Sequence, residues 1–127
     1  MTQTLPKRER LSGKTAIGAL MKKGRWGVAG CLKYCVLSPG GDEVTRMMVS
    51  VSKRSFKRAV KRNLLKRRLR ESYRTQKALL GSAGPLDLML VYNSKEILEY
   101  QVIRQDVAEI LRRLGEAAAA PAKHDAQ

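Results

Sequence analysis

Residues Ser55 to Arg74 read SFKRAVKRNLLKRRLRESYR. Wound at about 100° per residue, the stretch separates by chemistry. Leu65, Leu69 and Ser72 fall on one side, with Leu64 and Val60 at its edge. Arg62, Lys66 and Arg70 stack at i, i+4, and Asn63, Arg67, Arg70 and Arg74 form the adjoining ridge. The spacing predicts an amphipathic helix over about 56–79 that docks one narrow apolar stripe and turns a broad cationic arc outward. Between Lys53 and Lys77 lie 12 of the chain's 26 Lys and Arg residues and a single acid, Glu71. Like charges at helical spacing repel, and one glutamate does not neutralise the arc. Such a helix requires a polyanion outside it.

Outward from this helix, the chain alternates short elements. LSGKTAIGALMKKG (11–24) carries Ile17, Leu20 and Met21 at helical spacing and stops at Gly24. CLKYCVL (31–37) and RMMVSVS (46–52) read as strands, and the turn-rich SPGGDE (38–43) between them predicts a hairpin. The span from Arg25 to Leu37 is long enough for two short strands. Met47, Val49 and Val51 alternate with Met48, Ser50 and Ser52, one face for a core and one more polar. After GSAGP (81–85), LDLMLVY (86–92) reads as a buried strand. A last helix runs from Tyr100 to Leu114, with Val102, Ile103, Val107, Ile110, Leu111 and Leu114 on one side. The expectation is a single α+β domain over 11–114, one central sheet covered by helices. Residues 1–10 read as a basic extended arm and 115–127 as a disordered tail.

Composition narrows the function. The 127 residues carry a net charge of +15 with 43% hydrophobic content, which suits a folded, anion-binding domain. No apolar run reaches the roughly 20 residues of a membrane span, and the first residues lack the apolar centre of a signal peptide. Cys31 and Cys35, four apart in one strand, would stand roughly 13 Å apart at about 3.3 Å per residue. That is too far for a disulfide, so a reduced, cytoplasmic protein and core packing of both thiols are expected. His124 is the one histidine, which leaves no zinc set and no histidine-based catalytic triad. The carboxylate pairs Asp42/Glu43 and Glu96/Glu99 sit in turns or at a helix start, where solvation explains them. Trp26, between Gly24 and Gly27, is read as a core plug, with an exposed stacking ring the alternative. Among nucleic acids, the charge pattern alone does not separate RNA from DNA.

The stretch SVSKRSFKRAVKRNLLKRRLRE (50–71), with LPKRERL near the N-terminus, the helix ending at Gly24, LDLMLVY and the last helix, resembles the bacterial ribonuclease P protein subunit over about residues 5–114. The resemblance implies an α-β-β-β-α-β-α sandwich with a left-handed βαβ crossover. It further implies a monomeric cytoplasmic protein bound to a catalytic RNA that removes 5′ leaders from precursor tRNA. No cofactor would sit on the protein itself, and Mg2+ would sit in the RNA. Arg62, Asn63, Lys66, Arg67 and Arg70 fall on the helix that faces the catalytic RNA, with Arg58, Lys61 and Arg74 at its two ends. Ser50, Ser52 and Lys53 fall beside the cleft that takes the leader, as do Ile17 and Met21, where the family carries aromatics. Tyr34 or Cys35 would join them, depending on strand register. Leu64 stands where the family carries Arg, and Arg68 is basic where the family is often apolar, which predicts a shifted arc. Asn93 replaces the family's basic residue after the fourth strand. No catalytic residue is expected on the protein. The competing reading is a ribosomal or ribosome-assembly protein with no part in cleavage; a stand-alone metal-dependent nuclease lacks its ligands.

Overall fold

The computed structural model describes residues 6–81 and 83–119, with side chains to 117. The elements are α1 (Lys14–Lys23), β1 (Arg25–Ala29), β2 (Leu32–Leu37), β3 (Arg46–Ser50), α2 (Ala59–Gln76), β4 (Asp87–Tyr92) and α3 (Tyr100–Ala119). Short 3-10 turns occupy Lys7–Glu9 and Lys77–Leu80. The segment 25–37 therefore holds two strands. The boundary placed at 114 falls inside α3, and residues 1–5 and 120–127 of the expected arm and tail lie outside the described residues. The described part of the arm is not simply extended: it makes a 3-10 turn, and Arg10 bridges to Met47 at the sheet edge.

The four strands lie in the order β1-β2-β4-β3, with β1–β2 and β2–β4 antiparallel and β3–β4 parallel. The hairpin expected from 31–37 and 46–52 does not form. The hairpin is β1–β2, turning at Gly30 (φ 58°). β4 lies between β2 and β3, and its side chains are apolar on both faces, so each face of the sheet needs a covering helix layer. Leu88, Leu90 and Tyr92 face one core while Met89 faces the other. The turn-rich 38–43 segment instead wraps the start of β4. Gly40 N–H donates to the Pro85 carbonyl (3.0 Å) and Gly41 N–H to Asp87 Oδ2 (3.1 Å).

The parallel β3–α2–β4 unit is left-handed, and strand chirality shows it. Met47 faces α2 in the larger core, yet its carbonyl accepts Leu11 N–H (2.9 Å) on the side away from β4. For an L-residue that faces the viewer on an ascending strand, N–H and C=O point right, so β4 lies to the left with α2 in front. Most crossovers have the opposite hand.

The larger core lies between the sheet and α2/α3. From α2 it takes Leu65, Leu69 and Tyr73, and from α3 Ile103, Val107, Ile110, Leu111 and Leu114. Val102, expected on that side, is exposed. Gln76 joins the helices, its Nε2 donating to the carbonyls of Ser72 and Arg104 (both 3.0 Å). On the other face α1 covers a smaller cluster of Leu11, Leu20, Cys35 and Met89. Neither cysteine is in a disulfide. Cys35 is buried under α1, its thiol donating to the Leu20 carbonyl (3.4 Å). Cys31 lies in the hairpin turn outside the strand, where its N–H donates to Asp106 Oδ2 (2.9 Å) and burial, then Asp106, pushes its thiol up to about 12.

One buried ion pair closes the lower end of the sheet. Arg46 Nε and Nη2 donate to Asp87 Oδ1 and Oδ2 (3.0 and 2.9 Å), and Asp87 is only 1% exposed. Removing Asp87 leaves the part-buried Arg46 with only the more distant Asp42 carboxylate, at 3.9 Å, and leaves Gly41 N–H without its acceptor. Asp87→Ala is expected to lower stability by roughly 3–5 kcal/mol, read from the urea midpoint at unchanged slope; a loss below about 1 kcal/mol would show the pair to be dispensable.

Candidate nucleic-acid interface

The cationic helix begins later than its sequence suggests. Arg58 is the N-cap, and Ser55, Phe56 and Lys57 lie in the preceding turn. Phe56 is pulled into the core against Tyr92, ring centroids 5.8 Å apart. With Leu65, Leu69, Ser72, Tyr73 and Gln76 buried, the opposite surface of α2 faces solvent. Arg58, Lys61, Asn63, Arg67 and Arg70 are exposed, and Lys66 is half-buried. Arg67 has no ion-pair partner among the described residues. Lys57, Arg58 and Lys61 face Lys95 across an open hollow of about 430 Å³ beside the helix start.

Three of the helix's arginines also serve the fold. Arg62 Nη1 donates to the carbonyls of Phe56 (2.8 Å) and Lys57 (2.9 Å), strapping the turn that enters α2. Arg74 is paired to Glu71, Nε to Oε1 at 3.3 Å, so its charge is largely answered within the helix. Arg68 does not extend the arc as expected. It lies on the flank toward α3, where its guanidinium donates to the Leu98 carbonyl and holds the loop before that helix. The position of Leu64 is thus left without a basic substitute from Arg68.

Arg70 differs. Desolvation, then the neighbouring Arg10 guanidinium, pushes its pKa below the usual arginine value.

The second candidate surface is the sheet face under α1. Strand register gives two rows on this face: Met48, Met89, Cys35 and Trp26, then Ser50, Val91, Lys33 and Val28. The chain enters α1 from Leu11, bonded to Met47 at the β3 edge, and the helix crosses the first row to bring Leu20 over Cys35. Its right-handed winding puts Ile17 and Met21 on the flank above the second row. The result is a groove with Ser50, Val91, Lys33 and Val28 as floor and Ile17 and Met21 as wall. Ile17 is half-buried against the α1 core, whereas Met21 is exposed. Ser52 and Lys53 continue the floor beyond β3 and are exposed. Asn93 is exposed beyond β4, its N–H donating to the Cys31 carbonyl (2.8 Å).

Tyr34 is not in this groove. It pairs with Gly27 on the α3 side of the sheet, and its ring lies so close over that glycine that an added Cβ would collide with Cζ. The register puts Cys35 on the groove face, but α1 buries it. Trp26, read from sequence as core, is 48% exposed on that face. Its position on an edge strand just past the end of α1 explains this: no element covers it. The sequence signal was the small Gly27 beside it and Gly24 two positions before, which end α1 short of the ring and place no bulky apolar neighbour next to it.

The fold agrees with comparisons to known proteins. A family model described as Ribonuclease P matches residues 5–115. The chain belongs to the ribonuclease P protein family. The ribonuclease P protein component of Porphyromonas gingivalis is 32% identical over 119 residues, covering 87% of this chain and 85% of the relative. That of Picosynechococcus is 29% identical over 107 residues, covering 84% and 90%. The solved RNase P proteins of Thermotoga maritima (22% identity, TM-score 0.71, 84% of this chain and 97% of that one) and Staphylococcus aureus (20%, 0.70, 83% and 94%) share the fold. Membership makes the chain the protein subunit of an endoribonuclease and a partner of the ribonuclease P RNA, and the ribosomal alternative is not favoured. Among the described residues no helix is long and apolar enough to cross a membrane.

The division among the arginines sets an expectation for two variants. Arg67→Ala should flatten the salt dependence of RNA binding by a slope of roughly 0.7–0.9, one phosphate contact, at unchanged thermal stability. Arg62→Ala should lose roughly 1–2 kcal/mol of stability as well, because two backbone carbonyls lose a charged donor. Filter binding across a salt series, alongside thermal melts, checks both; an unchanged slope in Arg67→Ala would remove that side chain from the phosphate contacts.

Proposed function

We propose that this subunit assists precursor-tRNA cleavage by holding two RNAs at once. The cationic face of α2, through Arg58, Lys61, Asn63, Lys66, Arg67 and Arg70, lies against the catalytic RNA. The groove beside α1, through Ile17, Met21, Ser50, Ser52 and Lys53, takes the single-stranded 5′ leader. The observation that carries this reading is the continuity of the two surfaces. Lys53 and Arg54 occupy the turn between β3 and α2, so groove floor and helix start are joined by exposed cations. Arg62 contributes charge while bracing that same turn, and Arg74 contributes less because Glu71 answers it.

The chemistry then belongs to the RNA. Phosphates of the catalytic RNA hold Mg2+, which supplies the activated hydroxide, and the protein offsets phosphate repulsion and fixes the leader's path. Arg carries most of the arc because its planar fork meets phosphate oxygens in pairs. Asn63, a neutral donor and acceptor among cations, suits a sugar hydroxyl or a base edge. The subunit acts as a monomer in the cytoplasm.

Cleavage of precursor tRNA at low magnesium, with protein alone, RNA alone and the two together, tests this division of labour. A gain only on mixing is expected; activity of the protein alone overturns it. Within the groove, Met21→Phe should tighten leader-bearing precursor more than mature tRNA, since a larger polarizable face meets the bases. An equal effect on both substrates would make Met21 a packing residue.

A further inference from the structure

Trp26 is the single tryptophan of the chain, and it stands on the groove side with nearly half its surface in water. The other rings are elsewhere. Phe56, Tyr73 and Tyr92 belong to the core beneath α2 and α3, Tyr34 packs against that same core over Gly27, and Tyr100 begins α3. Trp26 is therefore the one aromatic face that the groove presents among the described residues.

Its surroundings suit a base. Lys33 Nζ lies 5.9 Å from the ring centroid, reaching diagonally from the floor row, and Lys33 is itself exposed. Met21 and Val28, 53% and 55% exposed, flank the same lysine on the wall and floor. Of seven large apolar side chains exposed among the described residues, three thus gather around one cation on one face. On the other side of β1, a hollow of about 220 Å³ borders Trp26, Arg25, Tyr34 and Arg113. Arg113 reaches the outer edge of β1, donating to the Val28 carbonyl (2.9 Å), with Glu109 as its ion-pair partner. An apolar ring that is uncovered, bordered by cations and set at the end of a groove is a stacking platform for single-stranded nucleic acid.

We propose that Trp26 stacks an unpaired nucleobase of the strand lying in the groove, while Lys33 holds the phosphate next to that base. This rests on the leader-groove reading above and adds a contact from β1, outside the elements that reading uses. Stacking tolerates any base, so the contact contributes affinity for unpaired RNA without choosing sequence.

The lone tryptophan makes the test direct, because its emission reports its own stacking. Precursor tRNA with a single-stranded leader, mature tRNA, and the ribonuclease P RNA alone are titrated into the full-length protein. Saturable quenching by the leader-bearing precursor, and weak quenching by mature tRNA, is the expected result. Quenching by the ribonuclease P RNA alone, at the same strength as by the precursor, would reassign the base to that RNA and overturn the leader contact. Trp26→Ala should weaken leader-bearing precursor by roughly 5- to 100-fold and leave mature tRNA within about twofold, whereas Trp26→Phe should recover most of the loss. Equal loss for both tRNAs, or no recovery with Phe, overturns the proposal and assigns Trp26 to the fold. If Met21→Ala and Lys33→Ala discriminate leader from mature tRNA and Trp26→Ala does not, the groove stands and the Trp26 contact falls; if none discriminates, both fall.

Discussion

The architecture depends on burying β4 from both sides. Leu88, Leu90 and Tyr92 point to one core and Met89 to the other, so the strand reaches its lowest free energy only as an interior member of the sheet with a helix layer on each face. Once β4 separates β2 from β3, the chain between β3 and β4 must cross a face, and α2 is that crossing. Its Leu65, Leu69 and Tyr73 stripe is then drawn inward, and the arginines are left outside. The outward charge is a consequence of apolar burial. Placing that many cations against β4 would cost far more than the fold could return.

The basic helix is not uniformly available to RNA, and the differences follow from position on its surface. Residues opposite the buried stripe, Asn63, Arg67 and Arg70, are exposed. Those at its borders find backbone oxygens: Arg62 at the entry turn and Arg68 at the loop before α3. Arginine serves both purposes because its long apolar stem crosses core edge while its fork stays hydrated or hydrogen-bonded. Charge counting therefore overstates the binding face, and the border arginines keep the binding arginines in place.

On the opposite face, α1 is short and covers only part of the sheet. Leu20 seals Cys35, and the row beyond it stays open. That leaves a groove whose floor alternates small, apolar and cationic groups, and whose end is an edge strand with nothing beyond it. Openness here is a result of helix length and strand order together: ten residues of α1 end before reaching Trp26.

The amphipathic pattern of 55–74, the alternation in 46–52 and the double-sided apolar run of 86–92 were readable in the chain, because each reports a local period that burial enforces. The family motif was readable for the same reason, being contiguous. Strand partners were not. A turn-rich link between two strands looks like a hairpin whether or not a later strand inserts between them, and SPGGDE does not encode that β4 will. Register decided that Tyr34 lies over Gly27 on the far face and that Trp26 lies open on the near one, since a shift of one residue exchanges the faces of a strand. Periodicity tells a side chain that it must be buried or bare; which layer it meets, and whether any element extends far enough to cover it, is settled only when the strands are ordered in space.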